Sequence, residues 1–121
     1  MEKSNLNINF AHTSEFEFSE LLTLYNIDWV YEPTSFALKW GSDGSIKMMF
    51  TPDFYLIDQN LYIEITTMSQ KLVTRKNKKL KLAKLLYPSS NFKIIYEFQY
   101  IDLLQKYKGT NSLDFQKAIA S

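Results

Sequence analysis

The chain has 121 residues, 45% apolar and 22% charged, the balance of a single soluble globular domain. Zero cysteines exclude a disulfide scaffold, a thiolate metal site and cysteine nucleophiles, and a lone histidine, His12, excludes multi-histidine zinc sites and argues against a Ser-His-Asp triad. The net charge of +1 hides a strong asymmetry: ten acids against three bases from Met1 to Glu64, then eight bases and no acid from Ile65 to Tyr96. An acidic half beside a basic half suits a metal-dependent enzyme acting on a polyanion. No apolar run approaches the roughly 20 residues of a membrane span, and MEKSNLNINF lacks the apolar centre of a signal peptide, so a cytoplasmic protein without membrane contact is expected.

Residues 1–13 read as a polar tail with a short strand at Ile8–Phe10. Ser14 reads as an N-cap with Glu17 as its capping-box partner, opening a helix whose buried stripe is Phe18, Leu21, Leu22 and Tyr25 and whose stop is Asn26. Glu15 stands on the stripe side. Trp29–Tyr31 and Phe36–Trp40, separated by Glu32-Pro33, read as a bent or interrupted strand, and Gly41-Ser42-Asp43-Gly44 as a turn. A second strand is expected from Ile46 to Ile57, broken or kinked at Thr51-Pro52 because proline cannot donate to a ladder, and a third from Leu61 to Thr67 after the turn Asp58-Gln59-Asn60.

Residues Ser69 to Tyr87 read as a long helix ended by Pro88. Lys76 and Lys79 fall on its sheet side, and Lys78, Lys81 and Lys84 on its wet side. Phe92–Phe98 reads as a central strand, parallel to Leu61–Thr67 through a right-handed crossover. Tyr100–Tyr107 closes the domain as a helix, and residues 108–121 form a fraying extension with one weak helical turn at Leu113–Ile119. The expected class is α/β, in the order α-β-β-β-α-β-α, with a mixed four-stranded sheet flanked by helices. Tyrosines and tryptophans at strand spacing read as core rather than as base-stacking platforms, and His12 as a loop or capping residue rather than a general acid for the leaving 3′-oxygen.

The strand register decides whether the acids can act together. A two-residue loop at Gln59-Asn60 sets Asp58 opposite Leu61 and Asp53 opposite Thr66, with Glu64 diagonal to Asp53 on one sheet face, about 7–8 Å away. Tyr55 and Tyr62 share that face. A loop one residue longer puts the two carboxylates on opposite faces. Asp53, Glu64, the backbone carbonyl of Ile65 and Glu15 from the first helix would make an all-oxygen set suited to Mg²⁺ or Mn²⁺. Such an ion lowers the pKa of bound water and stabilises charge developing on phosphorus. An acid between Ile63 and Ile65 is notable in itself, since acids are depleted from strands.

Pro52-Asp53 followed by Glu64-Ile65-Thr66 on antiparallel strands resembles the PD-(D/E)XK nuclease superfamily. The resemblance covers roughly residues 14–98 of a single domain expected over residues 14–107: the helix with Glu15 is similar to the one that contributes an extra acid in archaeal Holliday-junction resolvases, and Phe50–Leu56 is similar to the second motif of many small bacterial and phage nucleases. It implies a restriction-endonuclease-like core and Mg²⁺-dependent hydrolysis of DNA phosphodiester bonds. The superfamily's lysine, two positions after the glutamate, is Thr66 here, which carries no charge. Relatives that move this lysine to the next helix make Lys76 the chosen substitute, with Lys71 and Lys79 behind it. Lys71, Arg75, Lys78, Lys79, Lys81 and Lys84 would contact the phosphate backbone without reading sequence. A domain this small would work as a homodimer or within a larger recombination or mobile-element complex. Two other readings are a nucleic-acid-binding subunit on the same fold that has lost activity with Thr66, and an adaptor whose basic helix grips an acidic protein.

Overall fold

The computed structural model describes residues 8–66 and 70–106, together with residues 117 and 119. In chain order the elements are α1 (Thr13–Leu24), β1 (Trp29–Tyr31), β2 (Phe36–Trp40), β3 (Ile46–Phe50), β4 (Phe54–Leu56), β5 (Leu61–Thr66), α2 (Gln70–Leu86), β6 (Phe92–Tyr96) and α3 (Glu97–Lys106). Among the described residues this is a mixed α/β arrangement of three helices, a four-stranded sheet in the order β1-β4-β5-β6 and a separate two-stranded hairpin, β2-β3. No helix among those residues is long and apolar enough to cross a membrane.

Helix α1 ends as its sequence requires. Asn26 takes the left-handed conformation (φ 58°), and the N–H groups of Asn26 and Ile27 return to the carbonyls of Thr23 and Leu22, a Schellman close. Its start differs from expectation. His12, not Ser14, is the N-cap residue and offers no side-chain bond, while Ser14 lies inside the first turn. Tertiary packing sets this boundary. No strand forms at Ile8–Phe10; instead Phe10 packs its ring on Phe16, Trp29, Tyr31 and Phe54, and the Ala11 N–H donates to the Tyr31 hydroxyl at 3.1 Å. Those contacts carry the chain into the helix two residues early.

At both expected interruptions the strands are broken rather than bent. Glu32 adopts φ 44°, uncommon for a residue with a Cβ, and its N–H donates to the Asp53 carbonyl at 2.8 Å. Across from it, Thr51-Pro52-Asp53 separates β3 from β4. The paired breaks swing β2-β3 out of the main sheet, and the Ser35 and Thr51 hydroxyls, 2.7 Å apart, fasten the bend. The order is therefore α-β-β-β-β-β-α-β-α. At the other end of β4, Ile57–Asn60 makes a four-residue loop, with Asn60 at φ 50°, in place of the expected two-residue turn.

Helix α2 carries the chain back so that β6 runs parallel to β5, as expected. Strand alternation then sorts the core into two layers. Phe54, Leu56, Ile63, Ile65 and Ile95 face α1 and α3 and pack against Phe18, Leu22, Tyr100 and Leu103. Tyr62 and Phe92 face the other way, against Leu80 and Ala83 of α2, Tyr87 just after it, and Phe36, Leu38 and Phe50 of the folded-over hairpin. Each fully buried Phe or Leu contributes roughly 1.5–3 kcal/mol. Two boundaries move at the C-terminal side. Strand β6 stops at Tyr96 rather than Phe98, because Gln99 reaches back to the Tyr96 N–H at 3.0 Å and starts α3 with half a capping box. Lys117 and Ile119 are helical, and Ile119 is buried in the α1 layer while its carbonyl accepts the Lys93 ammonium at 2.8 Å; at this point the extension is docked, not frayed. The rest of the Leu113–Ile119 turn and the residues 1–7 lie outside the described residues.

Candidate active site

The four-residue loop pairs Phe54 with Ile63 and Tyr55 with Tyr62. Relative to the expected register this is a shift of two residues along the partner strand, which preserves the face of every side chain. Asp53 consequently stands opposite Glu64 rather than diagonal to it. Tyr55 and Tyr62 do share the face, their rings 4.5 Å apart. That face looks towards α2.

Both acids are buried, Asp53 at 5% and Glu64 at 6% exposure, where carboxylates are rarely found unless paired. Pro52 ends the ladder before Asp53, and the side chain supplies what the strand no longer can: Asp53 Oδ2 accepts the Ile65 N–H at 2.8 Å. From the facing helix, the Lys76 ammonium lies 2.6 Å from Glu64 Oε2 and donates to the Ile65 carbonyl at 3.3 Å. Glu64 Oε1 and the hydroxyl of Thr66 are buried without a hydrogen-bond partner. Burial first, and then the neighbouring Glu64 carboxylate, pushes the Asp53 carboxyl up to about 8. Burial raises Glu64 as well, while the hydrogen bond and charge of Lys76 act against that rise. Two carboxylates face one ammonium here, so the site is one positive charge short of neutrality unless a proton or a cation joins it.

Glu15 is buried too, at 3% exposure, but it approaches from the opposite layer. Helix α1 packs on the far face of the sheet, and the Tyr31 hydroxyl donates to Glu15 Oε1 at 2.5 Å. Glu15 acts on Asp53 and Glu64 through its field, raising both carboxyls, rather than by closing a cluster with them. Among the described residues no group of three or more Asp, Glu, His or Cys side chains is gathered closely enough to hold an ion. Two features escaped the sequence reading. Tyr31, two positions from Trp29 on one strand face, is the anchor of Glu15. Glu32 is drawn near the same acids by its left-handed bend, and burial followed by the Glu15 charge raises its carboxyl. The strand period could have found Tyr31; nothing local signals Glu32.

The donor set fits a hard divalent cation. Mg²⁺ commonly takes one or two carboxylates and keeps several waters. Asp53, Glu64 and the Ile65 carbonyl provide such a set, and the partnerless Glu64 Oε1 is an acceptor awaiting a positive group. The Lys76 ammonium already holds Glu64 Oε2 and the Ile65 carbonyl, so ion and ammonium would share these oxygens.

The remaining bases divide. Arg75, Lys78, Lys81 and Lys84 are exposed along α2. Lys79 is half-buried and donates to the Met49 carbonyl at 2.8 Å, which ties α2 to the hairpin. Lys71 belongs to α2, but its side chain lies outside the described residues. His12 is exposed at the head of α1, where its carbonyl accepts the Glu15 N–H. Compared with known proteins, the chain matches no family model, no curated protein and no solved structure.

Proposed function

We propose that this chain is a metal-dependent nuclease domain of the PD-(D/E)XK type, with a restriction-endonuclease-like core, that hydrolyses phosphodiester bonds in DNA. The observation that carries this reading is the triad of Asp53, Glu64 and Lys76: two buried acids from neighbouring strands on one sheet face, with a helix-borne ammonium between the Glu64 carboxylate and the Ile65 carbonyl. The parallel β5-β6 pair joined through α2 supports it, because this connection sets the lysine-rich helix over the acids.

Asp53, Glu64 and the Ile65 carbonyl would hold Mg²⁺ or Mn²⁺. When bound, such an ion makes water a stronger nucleophile near neutral pH and stabilises the charge that grows on phosphorus. The chain's own groups do the rest. Lys76 replaces the lysine missing at Thr66: its ammonium orients the attacking water and draws a phosphate oxygen into place. The Thr66 hydroxyl, two residues beyond Glu64 on the same face, is a neutral donor for that water. Arg75, Lys78, Lys81 and Lys84 bind the phosphate backbone by charge alone. Glu15, fixed by Tyr31, keeps the local field negative and so favours a bound cation, which makes it a positioning residue.

Nicking of supercoiled plasmid tests the reading. Conversion to open circle should require Mg²⁺ or Mn²⁺, stop with EDTA and vanish in Asp53→Ala and Glu64→Ala. Wild-type protein that never nicks with either ion refutes it. One observation favours a second reading, an inactive nucleic-acid-binding subunit: Lys76 neutralises Glu64 without any metal. In that case DNA binding persists in EDTA and no ion brings cleavage.

A further inference from the structure

The last residue of β6, Tyr96, and the second residue of α3, Phe98, place an aromatic pair at the edge of this site. The parallel register sets Tyr96 beside Thr66 and Ile94 beside Glu64, so the Tyr96 ring shares the face of the acids, one strand away and one step further along. Its hydroxyl donates to Asn77 Oδ1 at 2.6 Å, on the residue next to Lys76, and its N–H is held by Gln99. Both bonds fix the ring. The Phe98 ring lies parallel to it, with 5° between the planes and offset centroids 6.2 Å apart. Yet Phe98 is 72% exposed. A large apolar ring is thus held flat and wet on a braced support, which core packing does not require.

We propose that Tyr96 and Phe98 form a stacking platform for an unpaired nucleobase of the strand whose phosphate enters the Asp53–Glu64 site. The proposal rests on the nucleic-acid reading above and narrows its substrate to single-stranded, flapped or frayed DNA. A base inside a duplex is covered by its neighbours on both faces; an unpaired one offers its face to an aromatic ring. Charge supports the same occupant. Exposed Lys78 follows Asn77 on α2, and a groove of about 560 Å³ lined by Tyr96, Leu80, Lys84 and Lys93 gives a strand a cationic path. Glu97, exposed between Tyr96 and Phe98 in the chain, adds a negative charge that repels phosphates from its own side. The rival occupant is a second copy of the chain on Phe98 and Ile101, but these two side chains offer far less than the roughly 800 Å² per partner of a stable dimer.

The test is fluorescence anisotropy in EDTA, where neither probe is cut, with a labelled mixed-sequence DNA single strand and the same strand annealed to its complement. Phe98→Ala should weaken single-strand binding about tenfold or more and leave duplex binding unchanged. Phe98→Trp should restore it. Since Phe98 is exposed, matching circular dichroism and melting curves are expected for both variants. Equal single-strand affinity of Phe98→Ala and wild type overturns the proposal, as does an equal loss on both probes or no binding by the wild type. A change in sedimentation with binding intact also overturns it and assigns the ring to self-association. A protein that binds single strands through Phe98 yet never cleaves with Mg²⁺ or Mn²⁺ refutes the nuclease reading and leaves the platform standing.

Discussion

Replacing Asp53 by Asn should change how the stability of this protein responds to pH. In the unfolded chain the Asp53 carboxyl ionises at its ordinary value of 3.8, whereas in the fold it keeps its proton up to about 8, because burial and the Glu64 charge oppose ionisation. Between these values the folded state binds more protons than the unfolded state. Stability is therefore greatest at the acid end of the window and falls as pH rises, by at most about 1.4 kcal/mol per unit for one proton. From pH 5 to pH 7 the expected loss is about 2–3 kcal/mol, or roughly 10 °C in Tm for a domain of this size. Glu64 and Glu32 are shifted in the same direction and add to the slope. Asp43, lowered by its bonds to Ser45, has completed its titration below the window. Urea denaturation in EDTA at the two pH values measures the effect. Wild type should lose stability towards pH 7, and Asp53→Asn should lose clearly less, with a residual slope that Glu64→Gln reduces further. A wild type as stable at pH 7 as at pH 5, or an Asp53→Asn variant with the full slope, refutes the idea that burial and the Glu64 charge hold a proton on this carboxyl.

Lys76→Met keeps the stem that packs on the sheet but removes the only ammonium bonded to Glu64 among the described residues. Chemical denaturation in EDTA at pH 7 should show a loss of about 1–3 kcal/mol, the lower part of that range being expected because the ammonium is partly exposed. Plasmid nicking should slow at least about a hundredfold while anisotropy shows DNA binding retained. Tyr31→Phe deletes the donor to Glu15 and should cost about 1–2 kcal/mol in the same denaturation assay, since a buried acceptor is left unpaired, without moving the Mg²⁺ concentration needed for nicking. A shifted Mg²⁺ requirement would mean that Glu15 touches the ion directly.

Local chemistry in the sequence was enough for much of the frame. Asn26 stops α1 because it tolerates the left-handed conformation, Pro52 ends a strand because it lacks an N–H, and the alternation in β5 turns Ile63 and Ile65 to one layer and Glu64 to the other. Asp53 and Glu64 could be singled out because an acid inside an apolar strand is against type, and Lys76 joins them only through the resemblance, as the sheet-side lysine that could replace the one missing at Thr66. Which face each acid takes depends on loop length modulo two, so a loop misjudged by two residues still left the pair together. Other features depend on contacts between residues far apart in the chain, and no local pattern encodes them. The bend at Glu32 exists because its N–H finds the Asp53 carbonyl. The hairpin leaves the sheet because the two strand breaks meet across the ladder. Glu15 stays apart from the other acids because α1 packs on the opposite face, where Tyr31 captures it. Side-chain type and spacing set what each segment can do, whereas the packing of one segment on another selects among those options, because a buried polar group takes whichever partner the assembled fold brings within reach.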